Sequence, residues 1–228
     1  MRLKDKVAII TGGSRGIGFA TADAFLREGA KVAVAASSEK NAEAAVEKLK
    51  AIHPDAEVVG ISPNLGSFES VKEEFDKVEK QFGRIDILVN NAGVSESTPF
   101  TSYTEADFDR VIDLNVKGVF NATRAVVDGM IKNHSGVVLN TSSMVSISGQ
   151  PSGFAYPASK FAVNGTTISL ARAWAKRNPC QCSCSGNYGN RHDESRSEKR
   201  DRADDRTDSA SQTRTAGRHC KCICISCI

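Results

Sequence analysis

The stretch Thr11-Gly12-Gly13-Ser14-Arg15-Gly16-Ile17-Gly18 follows the apolar run Val7-Ala8-Ile9-Ile10 and opens a helical pattern from Ile17 to about Glu28. A strand, a glycine-rich turn and a helix N-terminus in that order make an anion cradle. Backbone N–H groups and the helix dipole face a phosphate, and glycine lets the backbone come close to it. The spacing is T-G-x-x-x-G-x-G rather than the commoner G-x-G-x-x-G. Taken alone, such a loop is also an ordinary strand-to-helix turn, so its neighbours have to decide.

Strand and helix signals alternate on either side of it. Lys31-Val32-Ala33-Val34-Ala35 reads as a second strand, Glu57–Ile61 as a third, Ile85–Val89 as a fourth and Gly136–Asn140 as a fifth. Helical patterns cover Asn41–Ala51, Ser67–Phe82, a long stretch from Ala106 to about Lys132, and Pro157–Lys176. In the second of these Val71, Phe75, Val78 and Phe82 form the apolar stripe. Repeated βαβ units with nearly all-apolar strands predict an α/β fold, a doubly wound parallel sheet covered on both faces.

The 228 residues suffice for one such domain. A net charge of +3 is too small to indicate a nucleic-acid partner. No apolar run approaches the roughly 18–20 residues that span a membrane. The opening Met1–Lys6 lacks a secretory signal pattern, so the chain reads as cytoplasmic.

Further motifs stand in order along the chain. Asn90-Asn91-Ala92-Gly93 ends the fourth strand, Asn115 lies in the long helix, Ser143 follows the fifth strand, and Tyr156-Pro157-Ala158-Ser159-Lys160 comes thirteen residues later. Each has an ordinary reading alone: a turn, a buried polar residue in a bent helix, a turn serine, a surface pair. Their joint order and spacing resemble the short-chain dehydrogenase/reductase family over residues 1 to about 176. The resemblance implies a Rossmann-like domain. It also implies an NAD(P)(H)-dependent oxidoreductase that interconverts a secondary alcohol and a ketone, working as a homodimer or homotetramer. It makes Ser143, Tyr156 and Lys160 the catalytic triad and Asn115 the fourth member. It assigns Lys160 to the nicotinamide ribose as well, and Asn115 to a proton-relay water.

Elementary chemistry agrees. Tyr156 and Lys160, at i and i+4, share one helix face. A free phenol is only about one part in a thousand ionised at pH 7. A nearby ammonium favours the phenolate, so the tyrosine can exchange a proton with the substrate oxygen. Ser143 can hydrogen-bond that same oxygen.

The residues expected at the cofactor are Gly12, Ser14, Arg15, Gly16, Ile17, Gly18, Ser37, Ser38, Asn64, Asn91, Ala92 and Gly93, with Tyr156 and Lys160. NAD-preferring relatives carry an acid after the second strand, for the ribose hydroxyls. Here Ala36-Ser37-Ser38 stands there, and Arg15 can pair with a 2′-phosphate, which favours NADP over NAD. Asn64 stands where the family often has Asp against the adenine amino group. The chain is similar both to 3-oxoacyl-carrier-protein reductases and to bacterial 3α-hydroxysteroid dehydrogenases. A ketone or alcohol substrate, free or carried on acyl carrier protein, is implied.

After Lys176 the family pattern stops. Residues 185–219 are mostly Ser, Arg, Asp, Glu, Asn, Gly and Thr, and all seven cysteines lie at or after Cys180. Such a segment buries too little apolar surface to offset its ordering entropy, so a disordered tail is expected in place of the family's last strands. Cys180-x-Cys182-x-Cys184 and the later Cys220, Cys222, Cys224 and Cys227 invite an alternative: a catalytically dead nucleotide-binding scaffold with a metal-binding tail. The spacing fits zinc poorly, and no metal residue is assigned.

A frameshift explains the tail better. The last two bases of each codon, joined to the first base of the next, permit G-I-R-V-N-A-V-A-P-G from Arg177 onward. From Asp208 they permit I-P-L-R-R-L-G-Q-P-E-D-I-A. Both strings look like the family's missing C-terminal region. The boundary therefore falls between a catalytic domain, 1–176, and an out-of-frame tail, 177–228. In the family the P-G-x-x-x-T stretch closes over the nicotinamide. The 228-residue chain is thus expected to turn over little, to be marginally stable, and to leave the edge of the fifth strand unpaired.

Overall fold

The computed structural model describes residues 1–175 and the backbone of two further strands, Cys180–Ser185 and Cys220–Cys227. The first strand, β1 (Val7–Thr11), is buried at every position. Successive side chains in a strand point to opposite faces, so complete burial means that both faces are covered. Val7 and Ile9 pack with Val71, Phe75 and Val78 on one side. Ala8 and Ile10 pack with Ala22, Leu26 and Leu49 on the other. Those partners come from α3 (Phe68–Phe82) on the first face and from α1 (Gly16–Arg27) and α2 (Glu39–Ile52) on the second.

The remaining strands are β2 (Lys31–Ala35), β3 (Val58–Ile61), β4 (Ile87–Asn90), β5 (Val137–Ser143), β6 (Cys180–Ser185) and β7 (Cys220–Cys227). The sheet order is β3-β2-β1-β4-β5-β7-β6, parallel throughout. Chain direction across the sheet reverses between β1 and β4. That is the switch point outside whose carboxyl ends ligands bind in open α/β sheets.

One expectation is refined and one corrected. The long helix is helical throughout, but as α4 (Glu105–Ile112) and α5 (Gly118–Lys132) with a π-type turn over Asp113–Lys117 between them. The extra residue there lets Asn115 point inward, buried to 1% exposure. The edge of β5 is not open. β7 pairs with it in parallel, Leu139 opposite Ile223 through Ser143 opposite Cys227, and β6 pairs with β7. The alternation in Cys-Gln-Cys-Ser-Cys-Ser and in Cys-Lys-Cys-Ile-Cys-Ile is a period-two strand pattern, which the cysteine count obscured. The expected domain boundary after Lys176 lies outside the described residues, and so does the tail expected to be disordered, 177–228, except for the strands Cys180–Ser185 and Cys220–Cys227. Among the described residues no helix is long and apolar enough to cross a membrane.

The last helices complete the frame: α6 (Val145–Ser148), and α7 (Ala155–Ala175), which carries Tyr156 and Lys160. A buried polar row braces it. Asn90 donates to the Thr123 hydroxyl (3.1 Å) and to Asn140 Oδ1 (2.8 Å), and Asn140 donates to the Thr167 hydroxyl (2.9 Å). The row runs from α5 through β4 and β5 to α7. In a low-dielectric interior such bonds are costly to break, so the helix and the strand ends are held in one register.

Candidate active site

The glycine loop is shaped by close approach. Gly12 has φ +64°, and a Cβ on Gly18 would lie 2.3 Å from the Gly12 carbonyl oxygen and 2.6 Å from Asn91 Nδ2. No side chain fits at position 18, and α1 begins against the loop. Asn91 fastens the loop from the other side, its Nδ2 donating to the carbonyls of Thr11 (3.1 Å) and Gly12 (3.2 Å). Thr11 Oγ1 accepts the amides of Asn91 and Ala92, each at 3.0 Å.

Over this loop lies a cleft of about 860 Å³ at the β1/β4 switch point. Of the residues expected at the cofactor it is lined by Gly12, Ser14, Arg15, Gly16, Ile17, Ser37, Asn64, Asn91, Ala92 and Gly93. Gly18, Ser38, Tyr156 and Lys160 do not line it. Gly18 is packed inside the loop, and Ser38 caps α2, its Oγ accepting the Asn41 amide at 3.3 Å. Asn64 Oδ1 accepts the Gly66 amide at 3.0 Å, which leaves one lone pair for an adenine amino group. The cleft also holds Asn41 and Lys48, which the sequence reading missed. Their spacing puts them on one face of α2 with Ala44 and Ala45, a signal available only once β2 is known to end at the cleft.

The far end of the cleft meets the expected catalytic residues. A Cβ on Gly93 would lie 3.1 Å from Asn115 Oδ1 and 3.7 Å from Lys160 Nζ. Lys160 is only 5% exposed, and its Nζ donates to the Thr141 carbonyl at 2.8 Å and lies 5.7 Å from the centre of the Tyr156 ring. Asn115 holds the loop after β4 from both sides, accepting the Val94 amide and donating to the Val94 carbonyl, each at 2.8 Å. Its Nδ2 also donates to the Ser159 hydroxyl at 3.0 Å, and Ser159 donates to the Tyr156 carbonyl at 2.7 Å. Ser143 ends β5. Its carbonyl accepts the Ser146 hydroxyl at 2.6 Å, and Ser146 accepts from Asn164 of α7 at 2.8 Å. Tyr156 and Lys160 therefore share the head of one helix, to which Asn115 is bonded directly and Ser143 through Ser146.

Apolar side chains stand exposed beside these residues: Met144 next to Ser143, Ile147 on α6, and Phe154 two residues before Tyr156. Phe154 packs on Phe100 with ring centres 5.0 Å apart. Among the described residues no group of His, Cys, Asp and Glu could hold a metal ion, and the cysteine side chains lie outside that set.

A parallel doubly wound sheet, a glycine cradle and a Tyr-Lys pair at the end of one cleft define a dinucleotide-dependent oxidoreductase fold. The short chain dehydrogenase family matches residues 6–198, and the chain belongs to that family. It is 52% identical over 172 residues to a 3alpha-hydroxysteroid dehydrogenase of Mediterraneibacter gnavus, covering 75% of this chain and 69% of that protein. It is 40% identical over 178 residues to the 3-oxoacyl-[acyl-carrier-protein] reductase FabG of Thermotoga maritima, covering 78% and 72%. Among solved structures, levodione reductase superposes with a TM-score of 0.76 at 34% identity, covering 80% of this chain and 71% of that one. NAD+-bound xylitol dehydrogenase gives 0.76 at 32%, covering 81% and 71%.

Proposed function

We propose that the chain is built to interconvert a secondary alcohol and a ketone with NADP(H), on a hydrophobic substrate of the hydroxysteroid type. The observation that carries this reading is the position of Gly93, which lines the dinucleotide cleft and adjoins both Asn115 and Lys160. The residues that would hold a dinucleotide run from the glycine loop to Gly93, beside Lys160. The cradle fits such a group, because the loop leaves its backbone bare where a pyrophosphate would lie. A bound nicotinamide supplies or accepts the hydride. Tyr156 exchanges the proton with the substrate oxygen, Ser143 hydrogen-bonds that oxygen, and Lys160 stands with its ammonium 5.7 Å from the centre of the Tyr156 ring. Met144, Ile147 and Phe154 offer an apolar face to the substrate. The identity to the steroid-named relative favours a hydroxysteroid over a 3-oxoacyl thioester.

NADP is favoured because Arg15, Lys48 and Ser37 stand in the cleft, and no acid stands at the position of Ser37. Ser37→Asp introduces a charge that repels a 2′-phosphate and accepts ribose hydroxyls. The expected result is at least an about tenfold fall in NADPH affinity relative to NADH, about 1.4 kcal/mol, read by nucleotide fluorescence. Equal affinity of the unsubstituted chain for both cofactors would exclude the NADP reading.

The tail from Arg177 onward is read as out of frame, since its codons permit the family's G-I-R-V-N string. NADPH oxidation with a 3-ketosteroid and with a 3-oxoacyl thioester tests the whole proposal. The 228-residue chain is expected to be slow, and a chain with the frame restored at Arg177 faster by about tenfold or more, because the segment that closes over the nicotinamide returns. The DNA sequence through codons 170–185 with the intact mass of the product from its own host checks this: a family-length mass restores the complete enzyme, and a 228-residue mass means a pseudogene product or a truly divergent tail. No ketone turnover by either chain would remove the catalytic reading.

A further inference from the structure

One half-buried acid is unaccounted for by this chemistry. Glu96 lies in the loop after β4 and reaches the first turn of α7. Its Oε1 accepts the Tyr156 amide at 3.1 Å and the Tyr103 hydroxyl at 2.8 Å. The surrounding backbone is stapled to the same place. Gln150 Nε2 donates to the Glu96 carbonyl at 3.4 Å, and the Gly153 amide donates to the Thr98 carbonyl at 2.9 Å. Gly153 has φ +75°, and a Cβ there would lie 2.0 Å from the Glu96 carbonyl oxygen and 2.4 Å from Oε2. Only glycine permits that approach. Oε2 is buried and accepts no hydrogen bond.

A helix leaves its first amides without intrahelical partners, and a carboxylate near the positive end of the dipole is favoured. In α7 one of those amides belongs to Tyr156 itself, and the next residue, Pro157, has none. Lys160 is already fixed through the Thr141 carbonyl. The separation of phenol and ammonium therefore depends on whether the first turn is held, and Glu96 is the side chain that accepts its Tyr156 amide. We infer that Glu96 is a positioning residue, braced by Tyr103, that sets Tyr156 against Lys160 through the Tyr156 backbone. Burial and the hydrogen bond to Glu96 push the Tyr103 phenol above its ordinary value, so it stays a donor at neutral pH. The inference rests on Tyr156 being the proton-transferring group.

The test uses the full chain carrying 3-fluorotyrosine. Its three tyrosines give separable fluorine resonances, with that of Tyr156 assigned by Tyr156→Phe. Glu96→Ala removes the acceptor, whereas Glu96→Gln retains an Oε1 that can accept both bonds. Glu96→Ala is expected to shift or split the Tyr156 resonance and lower kcat by about tenfold to a hundredfold. The KM for ketone and the NADPH affinity should change by less than about threefold, since Glu96 is not among the residues lining the dinucleotide cleft. Glu96→Gln is expected to restore both signals. Tyr103→Phe, which removes only the brace, should shift the Tyr156 resonance in the same direction by less, and it decides the matter if Glu96→Ala does not fold. An unmoved Tyr156 resonance in the alanine variant, or equal damage from alanine and glutamine, overturns the inference. Absent ketone turnover would remove the catalytic reading alone, because the fluorine spectrum still reports whether Glu96 holds Tyr156.

Discussion

Tyr156→Phe is expected to lower kcat by about 10²- to 10⁴-fold, the usual contribution of a positioned proton-transfer group. The substitution removes one oxygen and leaves the ring. The Tyr156 amide still donates to Glu96, and its carbonyl still accepts from Ser159. The dinucleotide cleft is lined by other residues, so NADPH affinity should fall far less than kcat. Lys160→Ala makes the contrast. It removes the ammonium beside the ring and the donor to the Thr141 carbonyl, at a site only 5% exposed. Losing a hydrogen bond from a buried ammonium costs about 1.5–3 kcal/mol, so this variant should lose both turnover and stability. Stopped-flow measurement of NADPH oxidation, with nucleotide fluorescence on the same samples, separates the two. A Tyr156→Phe chain retaining a tenth or more of the parent kcat would remove the tyrosine from the chemistry.

The contrast between these variants follows from what could be read in the chain before its fold was known. Val7–Ile10, Lys31–Ala35 and the Val71/Phe75/Val78 stripe carry their own periodicity, so the sheet and its helices were legible. Tyr156 and Lys160 were legible because both sit within one turn of one helix. The groups that support them were not, because their partners are distant in sequence. Asn90 shows in the sequence only as the end of the fourth strand, and nothing there tells that its side chain is committed to Thr123 and Asn140. Glu96 meets Tyr156 across sixty residues, and neither segment shows a pattern that announces the contact. Asn115 shows in the sequence as a polar residue within the long helix, and its bonds to Val94 and Ser159 accompany the π-type turn that the sequence does not announce. The pairing of Cys220–Cys227 with β5 failed for another reason. Seven cysteines drew attention as chemistry, while their alternation was the structural signal.

Asp86→Ala should destabilise the chain by about 2–4 kcal/mol, a large share of the 5–15 kcal/mol typical of folded domains. Asp86 precedes β4 and is 3% exposed. Its backbone alone joins three strands, with its amide donating to the Val7 carbonyl and its carbonyl accepting the Val137 amide, each at 2.9 Å. Its Oδ2 accepts the Val7 amide at 3.1 Å, and its Oδ1 pairs with Arg84 at 2.5 Å and Lys6 at 3.4 Å. Which of these dominates can be judged from exposure. Arg84 and Lys6 are 40% and 45% exposed and recover water when the carboxylate goes, so the ion pairs contribute at most about 1 kcal/mol each. The Val7 amide sits in the sheet interior and has no such recourse. Its lost acceptor, with the space left behind, makes most of the difference. Asp86→Asn retains an oxygen for that amide and should cost only about 1 kcal/mol, and Lys6→Ala less. Urea unfolding of the three variants orders them, with the slope in denaturant unchanged if the denatured state is the same. An asparagine variant as unstable as the alanine one would mean that the charge, rather than the Val7 amide, governs this corner of the sheet.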